Sequence, residues 1–247
     1  MTESGVRPTA LIFDLDDTLI DTTGQLLGPA HTEAAAAMIA AGLTGSIDEV
    51  AQARTTFARS HPGEDLERLV IECFGAGDPE AAAAAGKRAF YERSITRLDP
   101  LPEALPVLAD LRARNCSLFL VTLGHPATQR QKVKLAELEG CFDVVRYVDV
   151  AGDTSKEQVI AALMTEQQLS GAQTVVIGDR IDREIAAGRR LGCWTVRVER
   201  GEGQYFLPRE AAEQAHYTVG NLEAIPSVLV DIEAAEAGPD AALARVP

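Results

Sequence analysis

One segment near the start of the chain restricts its fold and its chemistry more than any other. Ala10-Leu11-Ile12-Phe13 is a continuous apolar run, and Asp14, Asp16 and Asp17 follow it directly. Short runs of this kind form strands that are covered on both faces, and parallel sheets bind ligands beyond the carboxyl ends of such strands. The sequence therefore predicts several carboxylates at the mouth of a buried strand.

The spacing of these acids favours a cation between them. Side chains alternate along an extended segment, so Asp14 and Asp16 point the same way. Two carboxylates that close together repel one another unless a positive charge lies between them. Mg2+ fits, because it takes one or two protein carboxylates and leaves room for a phosphate group. In the alternative interpretation, Asp16 and Asp17 only form a turn or a helix cap after the strand.

Two later segments repeat this pattern and argue against the alternative. The apolar run Ser117 to Val121 ends in Thr122-Leu123-Gly124, the run Thr174 to Ile177 ends in Gly178-Asp179, and Lys156 lies between them. A hydroxyl, backbone N–H groups, an ammonium and a further acid are the groups that a site for phosphate and metal needs.

With these four segments the chain resembles the haloacid dehalogenase-like hydrolase superfamily. Asp14 to Thr18 is similar to the opening motif of the family, Thr122 to its second motif, Lys156 to its lysine and Gly178-Asp179 to its closing motif. The resemblance spans almost the whole chain. It implies an α/β fold with a Rossmann-like parallel sheet, helices on both faces, and a small all-helical cap domain inserted after the first motif.

The resemblance also implies roles for the acids. Asp14 would attack phosphorus and form an aspartyl-phosphate, and Asp16 would protonate the leaving alcohol and then take a proton from the attacking water. Mg2+ would be held by the Asp14 carboxylate, the Asp16 backbone carbonyl and Asp179. The implied activity is that of a Mg2+-dependent phosphatase acting on a small phosphorylated metabolite.

The remaining motif residues would bind the phosphoryl group. Thr122 and the N–H groups of Leu123 and Gly124 would hold the transferring oxygens, and Lys156 would neutralise Asp14 or those oxygens. Leu123 departs from the small or polar residue of many relatives, which leaves backbone binding intact.

The closing motif departs from the family in a way that leaves two alternatives. Glu184 stands where an Asp is commoner, and its extra methylene would let it reach the metal through water. Asp182 would serve instead, or would cap the helix that begins near Arg183.

The acid at position 16 narrows the chemistry. Dehalogenases and phosphonatases of the superfamily generally lack it, so Asp16 favours phosphate esters as substrates. Two alternatives remain: a phosphomutase of the same fold, and a catalytically idle protein that binds or senses a ligand. Retention of the nucleophile Asp14 together with the other motif residues argues against the second alternative.

The amino-acid composition limits the kinds of partner and the cellular compartment that we expect for this protein. The formal net charge of −14 argues against nucleic acid as a partner, because such binding depends on basic patches. No apolar stretch is long enough to span a membrane, and the N-terminus lacks a signal pattern. The four cysteines show no metal-ligand spacing and are expected to be free thiols in a reducing cytosol, so we expect a cytoplasmic protein.

Hydrophobic periodicity predicts two domains and a tail. A Rossmann-like catalytic core is expected over residues 1–22 and 99–232, a helical cap over 23–98, and a frayed C-terminal tail over 233–247. The core alternates strands with helices, which is typical of a parallel sheet. The cap is predicted to contain four helices, Ala30 to Ala41, Ile47 to Arg59, Asp65 to Phe74 and Pro79 to Arg97.

Charged residues outside the motifs are predicted to face water. Arg54, Arg59 and Arg68 are expected on a solvated helix face of the cap, and Lys132 and Lys134 on the surface of the core.

Overall fold

The structure, a computed structural model, describes residues 7–61, 64–91, 94–235 and 238–239. The chain divides into two units: Met1–Asp21 with Arg97–Pro247, called the larger unit here, and Thr22–Thr96, called the smaller unit.

A six-stranded sheet forms the centre of the larger unit. Its order is β3-β2-β1-β4-β5-β6 and every pairing is parallel, which is a doubly wound arrangement. The predicted Rossmann-like α/β fold is therefore confirmed. The strands are β1 Ala10–Phe13, β2 Ser117–Gly124, β3 Val144–Asp149, β4 Thr174–Gly178, β5 Trp194–Val198 and β6 Tyr217–Val219.

Helices cover both faces of this sheet. Ile12, Phe119 and Val176 pack on one face with side chains of α7 such as Ile160, and the alternate residues such as Leu11 are equally buried on the other. The helices of the described residues are α1 Gly28–Ala40, α2 Ile47–Ser60, α3 Leu66–Phe74, α4 Pro79–Tyr91, α5 Ala104–Ala113, α6 Pro126–Leu135, α7 Lys156–Glu166, α8 Ala186–Arg190 and α9 Ile225–Ala234.

The smaller unit consists of α1 to α4 around a core that contains Met38, Val50 and Val70. The predicted end of its last helix at Arg97 is wrong: α4 ends at Tyr91, and residues 94–97 are not helical. Ser94, Ile95 and Thr96 are weaker helix formers than the alanines of α4, and two of them are β-branched. Residues 92–93 of the predicted helix lie outside the described part of the chain.

The prediction that Arg54 faces water is also wrong. Its side chain is fully buried in the smaller unit and donates a hydrogen bond of 3.0 Å to Glu67, whose side chain is 6 % exposed. The guanidinium also lies 5.7 Å from the centre of the Phe90 ring. A buried partner carboxylate and an aromatic face replace the water that Arg54 would otherwise need. Arg59 and Arg68 are exposed, as predicted.

The C-terminal end of the larger unit differs from the frayed tail predicted over residues 233–247. Glu233 and Ala234 belong to α9, while residues 236–237 and 240–247 of the predicted tail lie outside the described residues. The four cysteines are free, and Cys116 and Cys193 are buried. Within the described ranges, no helix has the length and apolar character needed to cross a membrane.

Strand register brings the sequence motifs to one edge of the sheet. Phe13 pairs with Leu120 of β2 and with Ile177 of β4, and the Asp14 N–H donates to the Ile177 carbonyl over 2.9 Å. Asp14 is therefore level with Gly178, the last residue of β4, and lies three residues before the end of β2. The segments that follow β1, β2 and β4 meet at this carboxyl edge.

Candidate active site

The first part of the site is an ion-paired group of three buried residues. Lys156 begins α7, whose N-terminus is fixed by a capping box between Ser155 and Gln158. The Lys156 Nζ lies 2.5 Å from Asp14 Oδ1 and also donates to the Glu184 carboxylate. The fold therefore places the predicted lysine directly against the predicted nucleophile.

Three acids cluster beside this lysine. Carboxylate oxygens of Asp14, Asp179 and Glu184 all lie within 4.8 Å of one another, and the three residues are buried. Glu184 approaches closely because Gly178 has no side chain: a Cβ on Gly178 would lie 2.6 Å from Glu184 Cγ. Asp182 instead is exposed and pairs with Arg180 at 2.9 Å. Of the two acids left open by the sequence, Glu184 is the one in the cluster.

The charges of this cluster are not balanced. Burial raises the pKa of Asp14 to about 7, against the opposing effect of Lys156, and burial with the nearby carboxylates raises the pKa of Asp179 to about 9. Burial disfavours the Lys156 ammonium, but Asp14 and Glu184 outweigh it and raise the pKa of Lys156 above its usual value. Grouped carboxylate oxygens with excess negative charge are the donors that Mg2+ takes, so the residues present fit this ion.

A loop after β5 packs against Asp179, one of these three acids. A Cβ on Gly203 would lie 2.3 Å from Asp179 Oδ2 and 2.8 Å from the Asp179 carbonyl oxygen, so only glycine fits there. Arg197, buried in β5, donates to the carbonyl oxygens of Gly203 at 2.9 Å and Phe206 at 3.1 Å, which holds the loop in place. The sequence analysis missed this contact, although the Gly-Glu-Gly segment after a strand was a visible signal.

Two residues of α6 contact Asp16, and the sequence analysis missed both. Gln129 Nε2 donates to Asp16 Oδ2 over 2.7 Å, and Lys132 Nζ lies 2.6 Å from Asp16 Oδ1. The prediction that Lys132 lies on the surface is therefore wrong: Lys132 is buried, and Asp16 gives its ammonium a partner in place of water. Lys134 is exposed, as predicted. The three-residue spacing of Gln129 and Lys132 on a helix that follows β2 was the available signal.

The second motif lies at the end of β2. The strand continues through Leu123 to Gly124 and pairs there with β3 up to Asp149. Thr122 is buried, and its hydroxyl oxygen accepts a hydrogen bond of 2.6 Å from Gln129. Because this oxygen accepts from Gln129, its own hydrogen is directed to a different acceptor.

Comparison with known proteins identifies the family. A model of the haloacid dehalogenase-like hydrolases matches residues 8–192. The chain belongs to this family. The predicted resemblance to the haloacid dehalogenase-like superfamily is thus confirmed.

Relatives of this hydrolase are similar over most of their length. It is 26 % identical over 230 residues to the glyceraldehyde 3-phosphate phosphatase of Methanopyrus kandleri, which covers 90 % of this chain and 96 % of the relative. It is 25 % identical over 248 residues to the N-acylneuraminate-9-phosphatase of Rattus norvegicus, covering 92 % and 96 %. Among solved structures, Bacillus subtilis YfnB, solved with bound magnesium, matches with a TM-score of 0.61 at 19 % identity, covering 90 % and 99 %.

Proposed function

We propose that this hydrolase is a Mg2+-dependent phosphatase that cleaves a small phosphate monoester through an aspartyl-phosphate on Asp14. The observation that carries the proposal is the buried cluster in which Lys156, Asp179 and Glu184 surround the Asp14 carboxylate. The curated relatives, which are named as phosphatases, support it.

In the first proposed half-reaction, a carboxylate oxygen of Asp14 attacks phosphorus. The bond between phosphorus and the alcohol oxygen breaks, and the Asp16 carboxyl group gives its proton to that oxygen, so a neutral alcohol leaves. In the second half-reaction, a water oxygen attacks phosphorus and the bond to Asp14 breaks. Asp16 takes the proton of the water, and inorganic phosphate is released with Asp14 restored.

The charged residues prepare this site for an anionic substrate. Mg2+, held by Asp14, Asp179 and the Asp16 carbonyl and supported by Glu184, would supply positive charge that offsets the repulsion between nucleophile and phosphoryl group. The ammonium of Lys156 holds the Asp14 carboxylate in one orientation and offsets its negative charge.

The phosphoryl oxygens would be held at the end of β2. The Thr122 hydroxyl and the N–H groups of Leu123 and Gly124 lie at the carboxyl edge of the sheet, next to the segment that carries Asp14. Backbone N–H groups and a hydroxyl at such an edge suit three equatorial oxygens.

The chemistry of the relatives' substrates suggests the substrate class. Glyceraldehyde 3-phosphate and N-acylneuraminate 9-phosphate are both esters of a primary alcohol on a polyhydroxylated compound. A primary alkoxide is a poor leaving group, so its departure needs a proton donor, which is the role proposed for Asp16. We infer a substrate of this class. We also propose that the smaller unit, predicted over residues 23–98, acts as a cap that selects the substrate and excludes water.

Phosphate release is the decisive measurement. The panel contains glyceraldehyde 3-phosphate, N-acetylneuraminate 9-phosphate, further sugar phosphates, nucleotides, phosphoglycolate and an aryl phosphate, each with Mg2+ and with a chelator. We expect metal-dependent release that is lost in Asp14→Asn. Release that survives in Asp14→Asn would contradict the aspartyl-phosphate route. Transfer of the phosphoryl group to a second hydroxyl of a sugar, without net release, would identify a phosphomutase.

A further inference from the structure

Both carboxylate oxygens of Asp16 accept hydrogen bonds from one face of α6. Gln129 Nε2 lies 2.7 Å from Oδ2, and Lys132 Nζ lies 2.6 Å from Oδ1. The Lys132 side chain is 11 % exposed and that of Asp16 is 27 % exposed, so the pair lies at the border of the buried site. Because so little of Lys132 is exposed, its side chain has fewer orientations available than that of a lysine in water.

The amide of Gln129 links Asp16 to the second motif. The same nitrogen that donates to Asp16 donates to the Thr122 hydroxyl oxygen over 2.6 Å. Gln129 itself is 2 % exposed, and it packs so closely on β2 that a Cβ on Gly124 would lie 2.9 Å from its Cδ. A buried, tightly packed amide therefore sets the position of Asp16 relative to Thr122.

This arrangement has a chemical consequence for a proton donor. A carboxyl group that transfers a proton must point at the leaving oxygen, and small errors in position reduce the rate strongly. Asp16 has two rotatable side-chain bonds and is partly exposed, so it needs outside contacts to keep one orientation. Donors on both oxygens, carried three residues apart on one rigid helix, provide those contacts.

We propose that Gln129 and Lys132 are positioning residues that hold Asp16 in the orientation from which it serves the leaving group. The inference rests on the proposed phosphatase function. It assigns α6 a part in the proton transfer, whereas the sequence predicted only that Lys132 and Lys134 lie on the surface.

The test uses the acidity of the leaving group. Phenyl phosphate and p-nitrophenyl phosphate are similar in size, but p-nitrophenolate leaves well without a proton. For each substrate kcat/KM reports the steps up to release of the alcohol. We expect Lys132→Met to lower kcat/KM about 100-fold for phenyl phosphate and less than about tenfold for p-nitrophenyl phosphate. Lys134→Met, on the exposed face of the same helix, is the matched control and is expected to match wild type on both.

A double-mutant cycle separates positioning from general damage. In the Asp16→Asn background, Lys132→Met is expected to cause no further loss of kcat/KM on phenyl phosphate, because the group it positions is no longer a proton donor. Equal losses on both substrates, or an undiminished loss in the Asp16→Asn background, would overturn the proposal.

Folding and the proposed function are checked independently. Thermal unfolding shows whether Lys132→Met folds; if it does not, Gln129→Leu is expected to show the same excess loss on phenyl phosphate. A wild-type protein that releases no phosphate would refute the proposed function. An active wild type with uniform losses in the variants would refute only the positioning role.

Discussion

Replacing Gly203 by alanine is expected to weaken metal binding without touching a catalytic side chain. The new Cβ would lie 2.3 Å from Asp179 Oδ2 and 2.8 Å from the Asp179 carbonyl oxygen. The loop cannot easily retreat, because the Gly203 carbonyl accepts a 2.9 Å hydrogen bond from the buried Arg197. The Asp179 carboxylate therefore has to leave the position in which its oxygen lies within 4.8 Å of those of Asp14 and Glu184.

The size of the effect follows from the clash. Forcing an extra methyl group into a well-packed site costs about 1–3 kcal/mol. If that cost falls on Asp179, the Kd for Mg2+ rises roughly 5- to 150-fold. At a Mg2+ concentration of about 100 times the wild-type Kd, the metal stabilises wild type by about 2.7 kcal/mol. A variant with a Kd about 30-fold higher would gain only about 0.9 kcal/mol at that concentration.

Urea unfolding with Mg2+ and with chelator measures this gain directly. The difference between the two free energies of unfolding removes any general destabilisation by the substitution itself. Gly220→Ala is the control, since nothing lies within 4 Å of a Cβ there. If Gly203→Ala gains as much stability from Mg2+ as Gly220→Ala does, the loop does not support Asp179 and the reasoning fails.

Three further predictions concern other buried charges. Glu184→Gln should raise the Kd for Mg2+ at least about tenfold and Asp182→Asn should not, as measured by calorimetric titration; a larger effect at Asp182 would reverse the assignment. Glu67→Ala should lower the free energy of unfolding in urea by about 3–5 kcal/mol, because it leaves the buried Arg54 unpaired. The double variant Arg54→Met, Glu67→Leu should recover most of this loss. A double variant that loses as much stability as Glu67→Ala would refute the pairing. Burial, with Arg54 nearby, lowers the pKa of His31 from 6.5 to about 4. The unfolded chain therefore binds the proton more tightly, and the free energy of unfolding falls as the pH is lowered from 6.5 to about 4. His31→Gln should remove up to about 3 kcal/mol of that fall, and parallel stability curves for the two proteins would contradict it.

The sheet was predictable because its signal is local. The apolar runs that begin at Ala10, Ser117 and Thr174 form strands that begin at those same residues, since a short apolar run in an alternating pattern of strands and helices is typical of a buried strand. The placement of Asp14, Thr122 and Asp179 at one edge then followed from parallel pairing alone. No side-chain detail was needed for either inference.

Whether a single polar side chain is buried or exposed, and which residue it contacts, could not be predicted in the same way. Lys132 and Arg54 look like ordinary helix-surface residues, and only the packing of each helix decides whether that face meets water or a carboxylate. Asp182 and Glu184 are two residues apart and lie on opposite sides of the helical turn over Ile181–Ile185, so packing alone decides which of them faces the cluster. The contact of Gly203 with Asp179 joins residues on different strand connections, so the Gly-Glu-Gly segment signals a close approach without identifying Asp179 as the partner.

In the proposed reaction, the charge balance of the site would make substrate binding depend on the metal. Asp14, Asp179 and Glu184 are buried together, and Lys156 supplies one ammonium against them. Two unit charges 4 Å apart interact by about 4 kcal/mol near a protein surface, and a phosphate monoester adds nearly two further negative charges. Without a cation, each close approach of phosphate to a carboxylate opposes binding by an energy of that order. Mg2+ binding and phosphate binding must therefore favour each other by the same factor, because thermodynamic coupling is reciprocal. The buried acids, whose raised pKa values reflect this unfavourable clustering, are thus the reason that Mg2+ would strengthen the binding of a phosphate ester.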